Sequence, residues 1–380
     1  ITTKKGKVGA PQISYDFNAG VSWVSNKIKM MDAYEFVKLQ SEVYTAADMS
    51  GNFGYFQTYN GKTYTLDDYK NVPQYNWQDM IFRDAWQQSH NLSLTGGTAD
   101  ARYNASFSYF DQDGIVLRSN YNKMQGRVGF NVRKGKLNTN VSVNYNRSVS
   151  SGASPSQSSY SGMNNLFYSV WGYRPVTQPS VELSSLLNNI QDDGIETLND
   201  YRFNPIMDLQ NSHRKNIITY LQLNGFAEYE FMKGLRLKVS GGYTTDNRRN
   251  ETFNNSKTRY GYPGSTSGVN ATLATSEKVT WLNENTISYN TVIDKTHTIN
   301  TVAGITLQES QYKFNSETMN QIPFESLGMA GMKQGQFGNS SSRIEDDALL
   351  SYLGRVSYNY ASKYYFTGSM RADGSSKFDT

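Results

Sequence analysis

The stretch Leu137-Asn138-Thr139-Asn140-Val141-Ser142-Val143-Asn144-Tyr145-Asn146 decides the fold. Successive side chains of a strand point to opposite faces. Leu137, Thr139, Val141, Val143 and Tyr145 therefore share one side, and Asn138, Asn140, Ser142, Asn144 and Asn146 the other. One face is greasy and the other is wet. A soluble sandwich also alternates, but its outward face meets bulk water and usually carries Lys, Glu and Thr. A face of Asn, Ser, Gln and Gly suits the wet lumen of a membrane β-barrel.

The same alternation recurs on both sides of this stretch. In 12–23, Ile13, Tyr15, Phe17, Ala19, Val21 and Trp23 oppose Ser14, Asp16, Asn18 and Ser22; Tyr103, Ala105, Phe107 and Tyr109 oppose Asn104, Ser106 and Ser108. Further on, Ile217, Leu221, Leu223, Ala227 and Tyr229, with Thr219 in the same row, oppose Gln222, Asn224, Glu228 and Glu230. Period-two stretches at 91–96, 123–132, 235–245, 278–289, 298–308, 348–360 and 364–371 bring the expected total to about eleven strands.

Connections alternate in length. Short ones fall at 98–101, 133–136, 232–234, 291–295 and 361–363, and long ones at 24–90, 111–122, 148–216, 246–277 and 310–347. All short turns lie on one edge and all long loops on the other, the asymmetry of an outer-membrane barrel with tight periplasmic turns and long extracellular loops. Structureless loops of this length are uncommon in compact soluble domains. Trp23, Tyr145, Trp281, Tyr289, Tyr358, Tyr360, Tyr364 and Tyr365 fall at strand ends, where aromatic girdles lie at the lipid–water boundary. Tyrosine is also a good strand former in any setting.

Composition agrees. The 380 residues carry Lys+Arg 37 against Asp+Glu 33, a net charge of +4, too balanced to argue for nucleic acid. Aromatics are 13% and charged residues only 18%, below the roughly 25% of soluble domains. A mean hydropathy of −0.64 and no apolar run of about 18 residues exclude a transmembrane helix but leave a barrel open. Cysteine is absent, which removes disulfides, thiolate zinc sites and a cysteine nucleophile, and suits an oxidising compartment. The only histidines, His90, His213 and His297, are scattered. No phosphate-binding glycine loop, zinc-protease motif or serine elbow occurs, so neither enzyme nor cofactor is expected. The acidic pairs Asp67-Asp68, Asp192-Asp193 and Asp346-Asp347 sit at or near expected loops, where solvated carboxylates are ordinary; a surface calcium site is the alternative, and no metal site is fixed.

Two long loops contain expected structure of their own. Residues 31–44 read as a helix with Asp32 as N-cap and Phe36, Leu39 and Val43 on one face. Beyond the low-complexity run 148–155, Leu166-Phe167-Tyr168-Ser169-Val170-Trp171-Gly172-Tyr173 is an aromatic cluster. It suits stacking on sugars or gripping peptide side chains, and equally a small core within the loop.

Four segments together resemble the SusC/RagA-type TonB-dependent outer-membrane transporters. They are Ile1-Thr2-Thr3-Lys4-Lys5-Gly6-Lys7; His90-Asn91-Leu92-Ser93-Leu94-Thr95-Gly96-Gly97; Arg102 to Val116 with its Phe110-Asp111-Gln112-Asp113-Gly114 end; and Leu349 to Tyr360 with Tyr364 to Phe378, closing on Arg371-Ala372-Asp373-Gly374-Ser375-Ser376-Lys377-Phe378. They occur in the family's order across nearly the whole chain. The resemblance implies a plugged barrel of about 22 strands, of which residues 1–10 are the end of the plug and linker, and 11–380 the first half of the barrel. It also implies a Gram-negative, Bacteroidetes-type outer membrane and energised import of a glycan or oligopeptide. The implied partners are a SusD-like lipoprotein lid, the TonB-ExbB-ExbD complex reached through a segment preceding Ile1, and membrane lipid. A passive barrel or surface adhesin is the alternative. For solute contact the expected residues are Trp171, Tyr173 and Arg174 in one long loop and Tyr260 and Tyr262 in the next, since aromatic faces and a guanidinium suit both sugars and peptides.

Overall fold

A computed structural model of the chain describes residue 6 and residues 8–43, 52–152, 166–192 and 203–378. Eleven strands form one antiparallel sheet in sequence order. They are β1 (Gly9–Ser22), β2 (Ala85–Gly97), β3 (Ala101–Asp113), β4 (Asn120–Lys134), β5 (Leu137–Ser151), β6 (Ser212–Met232), β7 (Leu235–Asn254), β8 (Asn270–Ile293), β9 (His297–Asn320), β10 (Gln336–Tyr360) and β11 (Tyr364–Ser375). Each strand pairs with its sequence neighbour, so the sheet is a simple up-and-down meander with free edges at β1 and β11. This is the architecture of a transmembrane β-barrel wall.

Register carries the alternation from strand to strand. Ile13 pairs with Leu94, Leu94 with Ala105, Ala105 with Val128, Val128 with Val143, Val143 with Leu223, Leu223 with Tyr243, and Tyr243 with Trp281. That row lies on one face of the sheet, and Ile13, Val128, Leu223, Tyr243 and Trp281 in it are exposed. In water such a surface would aggregate; against acyl chains it is the favourable one. On the opposite face, hydrogen bonds join Ser14 to Ser93 (2.6 Å) and Gln125 to Asn144 (3.3 Å), as a hydrated wall requires.

In β8 the apolar face is interrupted by a pair of amides. Asn283 and Asn285 lie in the same row as Trp281 and Ile287. They satisfy each other: Asn285 Nδ2 donates to Asn283 Oδ1 (2.6 Å), and Asn283 Nδ2 donates to the Ser240 carbonyl (3.1 Å). Lipid offers no partner for an amide, so internal pairing is what makes the position tolerable.

The short turns span 98–100, 135–136, 233–234, 294–296 and 361–363 and share one edge. At 233–234 the chain needs glycine twice over: Gly234 has φ +86, and a Cβ there would collide with the Asn290 carbonyl of β8.

The strands run farther outward than alternation indicates. β7 continues to Asn254 and β8 starts at Asn270, so the connection expected over 246–277 shrinks to 255–269; the one expected over 310–347 shrinks to 321–335, and 111–122 to 114–119. β8 and β9 have 24 residues each and β10 has 25, more than twice the roughly ten that cross a bilayer. The outer part of β7, Asp246-Asn247-Arg248-Arg249-Asn250-Glu251, is polar on both faces. Beyond the membrane neither face meets acyl chains, so the hydrophobic period disappears while the hydrogen-bonded ladder continues.

The remaining long loops, 23–84 and 152–211, fold into short helices where described. The helix α1 (Ala33–Val43) has its N-terminus held by Asp32, which accepts from Glu35 N–H (2.7 Å) while Glu35 accepts from Asp32 N–H (3.1 Å), a reciprocal capping box. Its buried residues are Ala33 and Val37, not the Phe36, Leu39 and Val43 stripe that periodicity selects. Phe36 is half-buried and Val43 is exposed, because the helix meets Phe56, Tyr69 and Val176 of the loop core along its Ala33–Val37 edge. Tyr44 lies outside the described residues.

Candidate functional site

The loops over the outer strand ends form two adjoining cores. One gathers Ala33, Val37, Phe56, Tyr69 and Val176. The other gathers Trp77, Ile81, Val116, Val170, Tyr173, Leu186, Ile206 and Leu209, drawn from the β1–β2, β3–β4 and β5–β6 connections. Three separate loops are thus one packed cap. A third cluster, Phe253, Ala271 and Ile322, anchors the 321–335 loop on β7 and β8.

Arg174 fastens the first two cores together. Its guanidinium pairs with the Asp192 carboxylate at 2.7 Å, both side chains being less than a tenth exposed, and lies over the Tyr55 ring at 4.5 Å. Its carbonyl accepts from the Trp77 indole N–H (3.1 Å), and the carbonyl of neighbouring Pro175 accepts from Tyr75 N–H (2.9 Å). Trp77 and Tyr173 meet edge to face at 5.2 Å. Burial and the negative charge of Asp192 push the Tyr173 phenol well above its usual range, so it stays neutral.

The five sequence-derived candidates divide accordingly. Tyr173 and Arg174 are inside the cap. Trp171 stands beside them at 39% exposure, stacked on Phe167 at 5.2 Å. Tyr260 is 38% exposed and lies 5.9 Å from the Arg259 guanidinium, while Tyr262 packs edge-on against Phe203 at 5.4 Å. Of the five, Trp171 and Tyr260 are the two that remain exposed.

The connection between the two groups runs through a helix that periodicity does not reveal, α5 (Pro205–Asn211), so numbered after the short turns α2 (Asn52–Gln57), α3 (Trp77–Ile81) and α4 (Leu166–Gly172). Ile206 and Leu209 of α5 enter the core that holds Tyr173. Asp208 accepts from Arg259 N–H at 2.7 Å. Burial raises the Asp208 carboxyl above its ordinary value, against the opposing pull of that hydrogen bond and of Arg259 and Arg214. Fully buried Asn204 caps the helix, accepting from Ile206 N–H and Met207 N–H (3.0 Å each) and donating to the Leu186 carbonyl (2.7 Å). An Asn before a Pro is an N-cap with a first-turn proline, the one local signal by which the sequence marks α5.

The acidic pairs have structural partners. Asp68 accepts from Thr65 N–H (2.6 Å), which holds its carboxyl below the usual range, and Asp67 pairs with Lys70 (2.7 Å). Asp346 and Asp347 lie in β10 rather than in a loop; Asp346 accepts from Gln311 (2.9 Å), and Asp347 pairs with Lys377 (3.0 Å). Asp193 lies outside the described residues. A groove of about 680 Å³ on the apolar face is lined by Ile287, Ala303, Gly354, Val356, Phe366 and Met370, away from the cap.

A meander with one apolar face, aromatic rows at its strand ends and folded outer loops defines the wall of an outer-membrane barrel. Comparison makes the class specific. No protein-family model matches the chain. The TonB-dependent receptor P3 of Formosa agariphila is 27% identical over 391 residues, covering 100% of the chain and 35% of its own length. The TonB-dependent receptor SusC of Bacteroides thetaiotaomicron is 22% identical, covering 100% of the chain and 36% of its own length. The solved RagAB peptide transporter superposes with a TM-score of 0.73 at 21% identity, over 100% of this chain and 44% of that one. Over its whole length the chain is similar to SusC/RagA-type TonB-dependent receptors, and its sheet has the fold of their outer-membrane barrel wall. It spans about a third of the length of the curated relatives it matches. Those relatives are named receptors, and the matched structure a transporter; none is named as an enzyme.

Proposed function

We propose that this chain supplies barrel wall and outer loops to an importer that carries a large nutrient, a glycan or an oligopeptide, across the outer membrane at the expense of TonB-transmitted energy. A SusD-like surface lipoprotein serves as its lid. The observation that carries this reading is the superposition of 99% of the chain on a protein described as a peptide importer with open and closed states. The folded cap supports it: three connections share one apolar core, and the buried Arg174–Asp192 pair ties the 152–211 connection to Tyr55 and Trp77 of the 23–84 connection.

Within the cap, Trp171 and Tyr260 contact the solute, and Tyr173, Arg174 and Tyr262 hold them in place. Residues 1–10 serve as the passage from plug to barrel. The test is uptake of labelled oligosaccharides and oligopeptides by cells carrying or lacking the gene, with and without TonB. Loss of one substrate's uptake in both deletions is the expected result, and Trp171→Ala with Tyr260→Ala should weaken its binding about tenfold, the scale of one or two aromatic contacts. Uptake that survives loss of TonB would mark a passive barrel; unchanged growth and uptake on every glycan and peptide would sink the import reading.

A further inference from the structure

We propose that the outward face of β6–β9 is a binding site for one membrane phospholipid whose headgroup carries both a phosphate and an ammonium. The inference rests on the barrel-wall architecture and is independent of what the barrel imports. The lower part of the site is a trough of about 500 Å³ lined by Val141, Leu223, Gly225, Gly241, Tyr243 and Trp281. Pairing sets Val141, Gly225 and Gly241 in one row and Leu223, Tyr243 and Trp281 in the next, all on the apolar face. The two adjacent glycines leave the floor bare: a Cβ at Gly241 would meet nothing nearer than the Leu282 carbonyl at 3.9 Å. An acyl chain lying in this trough touches walls as well as floor, and each contact adds dispersion attraction. Gly241 stands seven residues beyond Gly234. About ten residues cross a bilayer, so the trough lies in the leaflet nearer the long loops.

Farther out, above the acyl layer, a recess of about 440 Å³ opens at Asn247. Asn247 is four residues beyond Tyr243, about 13 Å at the rise of an antiparallel strand. Thr219, Asn247, Glu277 and Lys313 form one row of its lining, and Ile217, Arg249, Thr275 and Asn315 the next. Both rows share the parity of Tyr243 and Trp281, so the recess faces the same way as the trough. Only the row of Leu221, Thr245 and Val279 separates them. The strip is apolar below and polar above, the profile of a lipid standing in its leaflet.

The charges of the recess select the headgroup. Glu277 and Lys313 sit directly opposite each other on neighbouring strands and on one face. Opposite charges so placed ordinarily pair, yet among the described residues neither makes an ion pair, and the recess lies between their ends. Arg249 is held by Glu251 through its Nε alone (2.6 Å), which leaves its amino groups to donate elsewhere. A phosphate fits the Lys313 ammonium and those Arg249 amino groups, and a headgroup ammonium fits the Glu277 carboxylate. The side chains of Thr219, Asn247, Thr275 and Asn315 have no hydrogen-bond partner in the protein among the described residues. Their hydroxyls and amides suit the remaining phosphate and ester oxygens. A purely anionic headgroup would instead face Glu277 as a like charge.

The experiment uses the full-length receptor, stripped of lipid in detergent. Native mass spectrometry counts what is bound as phosphatidylethanolamine, phosphatidylglycerol or free phosphoethanolamine is titrated in. The wild type should hold one phosphatidylethanolamine about tenfold more tightly than phosphatidylglycerol, the scale of one charge-assisted contact. Glu277→Gln should abolish that preference, and Lys313→Gln should weaken both lipids about tenfold. Gly241→Leu fills the trough and should weaken both by a common factor. Lys313→Arg keeps the cation and should keep the binding, which separates a lost contact from a lost fold. Lys134→Gln, at the turn end of β4, should change nothing. Equal affinity of the wild type for the two lipids overturns the proposal, and so does a preference that survives Glu277→Gln. Free phosphoethanolamine binding as tightly as the lipid also overturns it, because the trough would then contribute nothing.

Discussion

Asp208 couples the cap to pH. Its carboxyl titrates above the ordinary aspartate value because burial outweighs the Arg259 N–H bond and the neighbouring guanidinium groups. A group whose folded pKa is raised favours the folded state below its unfolded pKa, and that contribution is lost as pH rises through the folded value. Docking of α5 should therefore tighten as the pH is lowered from neutral through that raised value. Asp208→Asn keeps an acceptor for Arg259 N–H and removes the desolvated charge, so it should flatten this dependence and leave neutral-pH stability within about 1 kcal/mol or improved. Asp208→Ala removes the acceptor and should cost about 1–3 kcal/mol. Hydrogen exchange of the α5 amides between pH 4 and 8 checks both; a flat wild-type profile would contradict the assignment.

Asn204 and Arg174 show how residue identity is legible only in part. Asn204-Pro205 announces a helix start by itself. Arg174 announces only a cation, and its pairing with Asp192 depends on how two loop segments meet.

For a strand, the decisive property is which face each position takes. Val239 lies on the lipid side at 44% exposure, and Lys238 beside it on the lumen side with its ammonium 4.8 Å from the Phe226 ring. The same depth thus tolerates a charge on one face only. Val239→Arg should destabilise the barrel by about 2–4 kcal/mol, whereas Lys238→Gln should cost under about 1 kcal/mol. Urea unfolding of the full-length receptor in lipid vesicles measures the difference, and equal costs would mean the faces are assigned wrongly. Alternation identified these strands because lipid and water impose opposite demands at every second residue. It lost the outer part of β7, where Asp246 to Glu251 are polar on both faces and the ladder alone defines the strand.

At the scale of the molecule the sheet is open, with unpaired backbone along one side of β1 and of β11. Lipid cannot satisfy those groups, and in water a free edge recruits other strands. The 380-residue chain expressed alone should fail to give a compact, heat-modifiable band on electrophoresis after vesicle insertion, whereas the full-length receptor should give one. A compact band from the chain alone would show that it closes on itself.

The sequence by itself determined the strand count, the lipid-facing rows and the separation of short turns from long loops, because each is a local response to a solvent boundary that repeats every two residues. It also marked α1 through its Asp32–Glu35 capping box. Packing between distant segments settled which edge of α1 is buried, and that Tyr173 and Arg174 lie inside the cap while Trp171 and Tyr260 remain exposed. Those outcomes depend on contacts between segments far apart in the chain, which are not written into the period of any one segment.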